Sequence, residues 1–293
     1  MKTPLRIGIC QFNVEGDVEQ NRRAILKQIG QAARQGARIV HFSEAALSGY
    51  AGFDIPHTSA IDWDSLRLAT EAICQRAARC GVWVVLGSTH RLSDGHRPHN
   101  SLYVISPEGH VVERYDKRFC TGTVAPEPTL DQAYYTPGDH ATVLDIDGWR
   151  VGLLICYDYR FPELYRDLKR RGVEVVLHSF HNACHSQRVY EEENIWKDIV
   201  PATLMCHAAT NHVWISATNS TTRYSLWPSF FVRPDGLVVS RLRAHRPGVM
   251  IGEVNPSLEL WDAPGPWRER AMAGTLHSGT TVDDPRSRDR CCY

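Results

Sequence analysis

The chain has 293 residues, enough for one large or two ordinary domains with a substantial core. Lysine plus arginine and aspartate plus glutamate both number 33, and no basic run appears, so nothing draws the protein to nucleic acid or an anionic membrane. No segment approaches the uninterrupted apolar length of a membrane span and the first residues hold no secretory stretch. The nine cysteines are scattered without a paired framework, so the expectation is a cytoplasmic protein with free thiols and Cys291-Cys292 in a loose tail.

Residues 5–12 alternate into a short strand. Asp17 then caps a helix, with Gln20 three residues on and Val18, Ile25, Ile29, Ala32 and Ala33 on one face, and Gly36 stops it. Residues 37–42 are a strand that runs into Ser43-Glu44 and a loop rich in glycine, serine and aromatic residues. A helix over 64–80 and a strand over 82–87 follow. The hairpin of 102–105 with 111–115 turns at Ser106-Pro107-Glu108-Gly109 and delivers Lys117. Residues 118–140 form a long loop, which in a compact domain is more often functional than idle. A further hairpin, 141–146 with 150–155 about Asp147-Gly148, ends at Cys156, and Phe161-Pro162 opens a helix.

Gly172 and the strand 173–178 repeat the arrangement of Gly36 and 37–42, and the hairpin 230–239 repeats 103–112, with Pro234 in the place of Pro107. Two similar halves, each a sheet with helices on one face, bury their apolar surfaces best as sheet against sheet with helices outside: an α/β fold in a four-layer α-β-β-α sandwich. Between the hairpins, 191–209 reads as a helix with Ile195, Ile199, Met205 and Cys206 inward, a kink at Pro201, and Glu191-Glu192-Glu193 as its solvated first turn. After a last strand, one domain spans 1–254. Residues 255–293 are an arm or partly disordered tail, in which Trp261, Trp267 and Arg268 pack down or border a pocket mouth or dimer contact.

Three strands thus end in Glu44, Lys117 and Cys156, and strand ends on one side of a sheet converge on one crevice. At a strand-to-helix turn, the following N–H groups and the helix end favour a thiolate and any oxyanion beside it. A carboxylate takes the thiol proton, the thiolate attacks a carbon bearing nitrogen, and the lysine with the Tyr157 backbone N–H stabilises the oxyanion. The acid then protonates the leaving nitrogen, and the same carboxylate activates water against the thioester. No metal or cofactor is required.

The segments Phe42-Ser43-Glu44 with Gly49-Tyr50, Tyr115-Asp116-Lys117, Tyr135-Thr136-Pro137-Gly138-Asp139, and Cys156-Tyr157-Asp158-Tyr159-Arg160-Phe161-Pro162-Glu163, in this order, resemble the nitrilase superfamily of carbon-nitrogen hydrolases over nearly the whole chain. The resemblance implies Glu44 as general base, Lys117 as transition-state stabiliser and Cys156 as nucleophile. It also implies the four-layer sandwich and a homodimer or higher homo-oligomer formed through the outer helices.

Two positions depart from that family pattern. Ser43 stands where relatives commonly carry proline. Asp131 stands where they carry a second glutamate, with Glu127 the rival if the loop shifts, and the shorter side chain is expected to sit about one methylene further from lysine or substrate. His181, in the run 178–185 that follows the next strand, lies where the family shapes its substrate pocket, so Tyr157, Asp131 and His181 are the expected substrate contacts. Alternation points His178 and His181 to opposite faces, and no second pair completes a zinc spacing, which speaks against a metal. The expected activity is hydrolysis of a linear amide or N-carbamoyl compound, a small-molecule substrate. Cys-Tyr-Asp favours this over the Cys-Trp-Glu of nitrile-cleaving relatives. Nitrile hydrolysis and acyl transfer use the same residues, and a catalytically silent binding or scaffold protein is the alternative that Asp131 motivates.

Overall fold

The computed structural model describes residues 2–184, 186–191 and 194–291. In the first half, β1 (Leu5–Gln11), β2 (Ile39–His41) and β3 (Trp83–His90) run parallel, joined by α1 (Val18–Arg34) and α2 (Trp63–Cys80). Asp17 caps α1 as expected, accepting from the N–H groups of Glu19 and Gln20. The antiparallel strands β4 (His99–Ile105) and β5 (Val111–Asp116) extend the sheet, and the long loop after them holds a short helix, α3 (Asp131–Tyr134).

The second half repeats this plan. β6 (Val143–Ile146) pairs antiparallel with β7 (Trp149–Ile155), and β7 runs parallel to β8 (Val175–Ser179) and β9 (Trp214–Thr218). Between these strands lie α4 (Pro162–Arg170), α5 (Gln187–Glu191) and α6 (Trp196–Asn211), and then the hairpin β10 (Phe230–Val232) with β11 (Val238–Arg241). The last strand, β12 (Gly248–Val254), returns to the first sheet and lies antiparallel to β1, with Leu5 opposite Val254. The sheet orders are β12-β1-β2-β3-β4-β5 and β11-β10-β9-β8-β7-β6.

The inferred repeat is visible at the two hairpins. Both slip register once, between Val104 and Ile105 and between Phe231 and Val232. Gly109 and Gly236 both have positive φ, and a Cβ there would stand 2.7 Å from the Cys74 carbonyl of α2 or 3.0 Å from the Met205 carbonyl of α6. Each turn thus lies against the corresponding helix. Ile7, Ile9, Leu102 and Val104 of one sheet share a buried cluster with Val151, Leu153, Leu177, Ile215 and Phe231 of the other, while α1 and α2 cover the first sheet and α4 and α6 the second. This is the four-layer α-β-β-α sandwich. Among the described residues, no helix is long and apolar enough to cross a membrane.

The helix after β8 differs from expectation. It is broken at 194–195 into α5 and α6, Glu191 belongs to α5 rather than opening the longer helix, and Glu192, Glu193 and His185 lie outside the described residues. Its buried face is Val200, Leu204, His207, Ala208 and Asn211. Ile195 and Ile199, expected inside, are 63% and 41% exposed, and Met205 and Cys206 are exposed too. Both stripes recur at helical spacing, so periodicity alone did not distinguish them; packing against β9 and β10 selects the other. In the C-terminal segment, α7 (Gly265–Met272) packs down through Arg268, whose guanidinium pairs with Asp262 and donates to the Thr210 carbonyl at 3.0 Å. Trp261 and Trp267 are exposed; α8 (Pro285–Arg288) and Cys291 follow, and Cys292 lies outside the described residues.

Candidate active site

Glu44 stands just past β2 because the chain turns tightly over β3. Gly87 permits the approach: a Cβ there would lie 2.0 Å from the Ser43 carbonyl, and the Gly87 carbonyl accepts the Leu47 N–H at 2.9 Å. Ala45 completes the turn at φ +51°. From the second sheet, the Ser179 and Thr218 hydroxyls donate to the Phe42 carbonyl at 2.8 and 3.0 Å, which fixes the approach to Glu44 from the other half of the molecule. Ser43, in the usual proline position, is buried with its hydroxyl unpartnered among the described residues.

The Glu44 carboxylate is fully buried and fully engaged. Oε1 accepts from Asn100 Nδ2 at 2.7 Å and Lys117 Nζ at 2.8 Å, and Oε2 accepts the His181 backbone N–H at 2.9 Å. Lys117 is equally buried; its N–H donates to the Asn100 carbonyl and its own carbonyl accepts the Gly138 N–H, both at 2.9 Å. Gly138 packs so closely on this segment that a Cβ would lie 2.5 Å from the Asp116 carbonyl. Nζ also donates to Asp131 Oδ2 at 2.7 Å. Burial works against the ammonium, but the Asp131 and Glu44 carboxylates outweigh it and hold its pKa well above the ordinary lysine value.

Asp131 opens α3, after Leu130 at φ +50°, and its carboxylate also accepts from the Thr121 N–H at 3.1 Å and from the Tyr50 hydroxyl. The backbone therefore brings the shorter side chain within hydrogen-bond distance, and the expected one-methylene gap to lysine is absent. Glu127, the rival, is exposed in the loop. Burial raises the Asp131 pKa, yet Lys117 and the hydrogen bonds bring it below the usual aspartate value.

Cys156 closes β7 at φ +39° and begins a 3-10 turn, Cys156–Arg160, that separates it from α4. Its thiol lies close enough to Glu44 and Lys117 for the charges of both to act on it. The expectation that this turn favours a resting thiolate is not met. Burial and then the negative charge of Glu44 push the thiol pKa well above its ordinary value, and Lys117 offsets only part of this. At rest the sulfur is therefore held as the thiol. Tyr157, partly exposed with its ring edge-on to Phe161, carries the first N–H after Cys156, at the start of a turn whose leading N–H groups have no acceptor within it.

His181 places its Nε2 2.8 Å from Asp54 Oδ2 and stacks on the Tyr50 ring, centroids 5.2 Å apart. Burial lowers its pKa, but the Asp54 carboxylate prevails and raises it. The structure thus brings Glu44, Lys117, Cys156 and Asp131 together and adds His181 through its backbone. Among the described residues, no group of three or more His, Cys, Asp or Glu side chains is arranged to hold a metal ion.

Sequence reasoning missed Asn100, which shares Glu44 with the lysine, and the role of Asp158. The buried Asp158 carboxyl accepts from the Ile155 N–H at 3.0 Å, the Tyr115 hydroxyl at 2.8 Å and the Phe119 N–H at 3.0 Å, tying the Cys156 turn to the Lys117 segment. Burial outweighs these bonds and raises its pKa to about 6. The readable signal was its place two residues after the thiol at a strand end.

The model of the carbon-nitrogen hydrolase family matches residues 6–262. A hydrolase of Mycobacterium tuberculosis (strain ATCC 25618 / H37Rv) is 30% identical over 184 residues, 59% of this chain and 59% of that protein. The omega-amidase of Homo sapiens is 28% identical over 179 residues, 60% of this chain and 63% of that protein. The chain therefore matches less than two-thirds of the length of either relative. Among solved structures, a variant of an amidase of the nitrilase superfamily from Nesterenkonia shares the fold, with a TM-score of 0.72 at 21% identity over 93% of this chain and 97% of that one. On the extent of the family match, from the first strand to beyond the last, the chain belongs to the carbon-nitrogen hydrolases.

Proposed function

We propose that the protein hydrolyses a linear amide or N-carbamoyl compound through a thioester on Cys156. The observation that carries this reading is the convergence on the Cys156 thiol of two opposite charges, the buried Glu44 carboxylate and the Lys117 ammonium bonded to it. Glu44 takes the thiol proton as the Sγ–C bond forms, and the carbonyl oxygen gains the negative charge, met by Lys117 and the Tyr157 N–H. Collapse breaks the C–N bond, Glu44 returns its proton to the nitrogen, and ammonia or an amine leaves. Glu44 then takes a proton from water, the resulting hydroxide attacks the thioester, and as the C–S bond breaks and the acid leaves, Glu44 returns that proton to the sulfur and restores the thiol. Asp131 holds the lysine, and Tyr157, Asp131 and His181 border the substrate.

The similarity to omega-amidase supports an amide substrate. So does a Nesterenkonia amidase variant described as carrying the acetamide moiety of fluoroacetamide on its active-site cysteine. The Asp131–Lys117 contact removes the motive for a silent scaffold reading. A cytoplasmic homodimer or larger homo-oligomer, with no nucleic acid or membrane partner and no cofactor, completes the proposal. The test is ammonia release by the purified protein from linear amides, N-carbamoyl compounds and nitriles, beside Cys156→Ala. Release from amides or carbamoyl compounds by the wild type alone is the expected result; release from nitriles alone, or equal release by the variant, overturns it.

A further inference from the structure

Beneath the Cys156 turn lies a column of buried rings that the mechanism above does not use. His178, the fourth residue of β8, is fully buried, and its Nε2 lies 3.2 Å from the Cys156 carbonyl oxygen. Its Nδ1 lies 2.6 Å from the Tyr165 hydroxyl of α4. One face of the imidazole stacks with Phe180, centroids 4.2 Å apart. Tyr165 in turn stacks on His207, centroids 3.9 Å apart, and His207 Nε2 lies 2.9 Å from the carbonyl of Tyr159 in the same 3-10 turn.

The partners settle the protons. A carbonyl oxygen only accepts, so His178 Nε2 carries the hydrogen. Burial keeps the ring neutral, so Nδ1 is unprotonated and accepts from the Tyr165 hydroxyl. His207 donates to Tyr159 by the same logic. Two histidines of the second half therefore hold two carbonyls of the turn that carries the nucleophile, one of which belongs to the left-handed residue Cys156 itself.

The carbonyl of Cys156 and the N–H of Tyr157 are two ends of one peptide group. Because that group is planar and trans, fixing the direction of the oxygen fixes the direction of the hydrogen opposite. We infer that His178 is a positioning residue: by donating to the Cys156 carbonyl it aims the Tyr157 N–H at the oxygen that becomes negative during acylation, with Tyr165 selecting the tautomer that can do so. This rests on the thioester reading above. It makes His178 important for steps that build an oxyanion and unimportant for steps that use only the sulfur. A residue that merely filled space would affect both.

The test compares two reactions of the same thiol. 4-Nitrophenyl acetate acylates it through an oxyanion: the Sγ–C bond forms, the C–O bond breaks and 4-nitrophenolate leaves. Iodoacetamide alkylates it by direct displacement of iodide, with no oxyanion. Each rate is read at Cys156 by mass spectrometry. His178→Phe keeps a stacking ring without a donor, and a lost oxyanion-hole donor costs roughly a hundredfold or more, so a misaimed one is expected to slow acylation at least about tenfold. Alkylation should stay within about twofold of wild type, and His178→Gln, whose amide nitrogen reaches the place of Nε2, should regain acylation. Tyr165→Phe perturbs the fold less and is expected to slow acylation severalfold with alkylation unchanged. Equal loss of both reactions in His178→Phe and Tyr165→Phe, or acylation as fast as wild type in His178→Phe, overturns the inference. A wild-type protein that is alkylated but never acylated removes instead the thioester reading on which it rests.

Discussion

Replacing Lys117 by methionine leaves Glu44 and Asp131 facing one another without their shared cation. Oxygens 2.8 and 2.7 Å from one nitrogen stand at most about 5.5 Å apart, and at an effective dielectric constant near 20 two charges at that separation repel by about 3 kcal/mol. That is roughly two pKa units, so the pair retains a proton toward neutral pH, where the same groups in the unfolded chain, with pKa values near 4, have lost it. In the wild type, the Asp131 pKa is depressed, so its contribution is present above the unfolded value and is lost only as pH falls through the folded one. In Lys117→Met the sign reverses: the deficit grows as pH rises from about 4 through the raised value, by up to about 1.4 kcal/mol per unit. Urea unfolding should show the variant about 3–5 kcal/mol less stable at pH 7, as for other broken buried pairs, and about 1 kcal/mol closer to wild type at pH 5. Amide turnover should fall by about a hundredfold or more. A deficit equal at pH 5 and pH 7 would refute Lys117 as counter-ion to two buried carboxylates.

Asp158 makes a second pH-dependent contribution of unusual sign. With its folded pKa raised to about 6, its charged form destabilises the fold, so this contribution declines as pH rises from about 4 to 6 and is level above. The difference in unfolding free energy between wild type and Asp158→Asn should drift by about 3 kcal/mol over that window and stay flat from about pH 7 to 8; a flat difference throughout would contradict the raised value. Ser43→Ala removes a buried hydroxyl without a partner among the described residues, so the urea midpoint should stay level or rise by the equivalent of up to about 1 kcal/mol. A loss of more than that would mean the hydroxyl is satisfied.

The strand ends were legible because each apolar run stops at a residue that chemistry singles out, and because the repeated glycine and proline positions mark two halves that bury best as facing sheets. What the sequence concealed depends on distances between remote segments. Asn100 reaches Glu44 only because β4 lies beside β3, and Asp131 reaches Lys117 through a short helix inside a loop that has no period to read. The thiol was misjudged for a related reason: a strand-to-helix turn suggests a helix end behind the sulfur, whereas burial beside a carboxylate dominates. On α6, Ile199 and Val200 are neighbours in sequence and opposite in fate, a choice made by the sheet beneath rather than by the helix. His178 read as one of several histidines, since nothing local indicates which carbonyl a buried imidazole will meet.

The return of β12 to the first sheet bears on how the chain is made. While residues 248–254 are still unsynthesised, β1 offers an unpaired edge along its whole length, although every other strand of its sheet is already available. The amino-terminal half therefore waits for β12 before the edge of β1 is covered, and for a ribosome adding residues one by one that is an interval in which a foreign β-strand competes for the same row of N–H and C=O groups. The strand that covers β1 ends the competition for that edge.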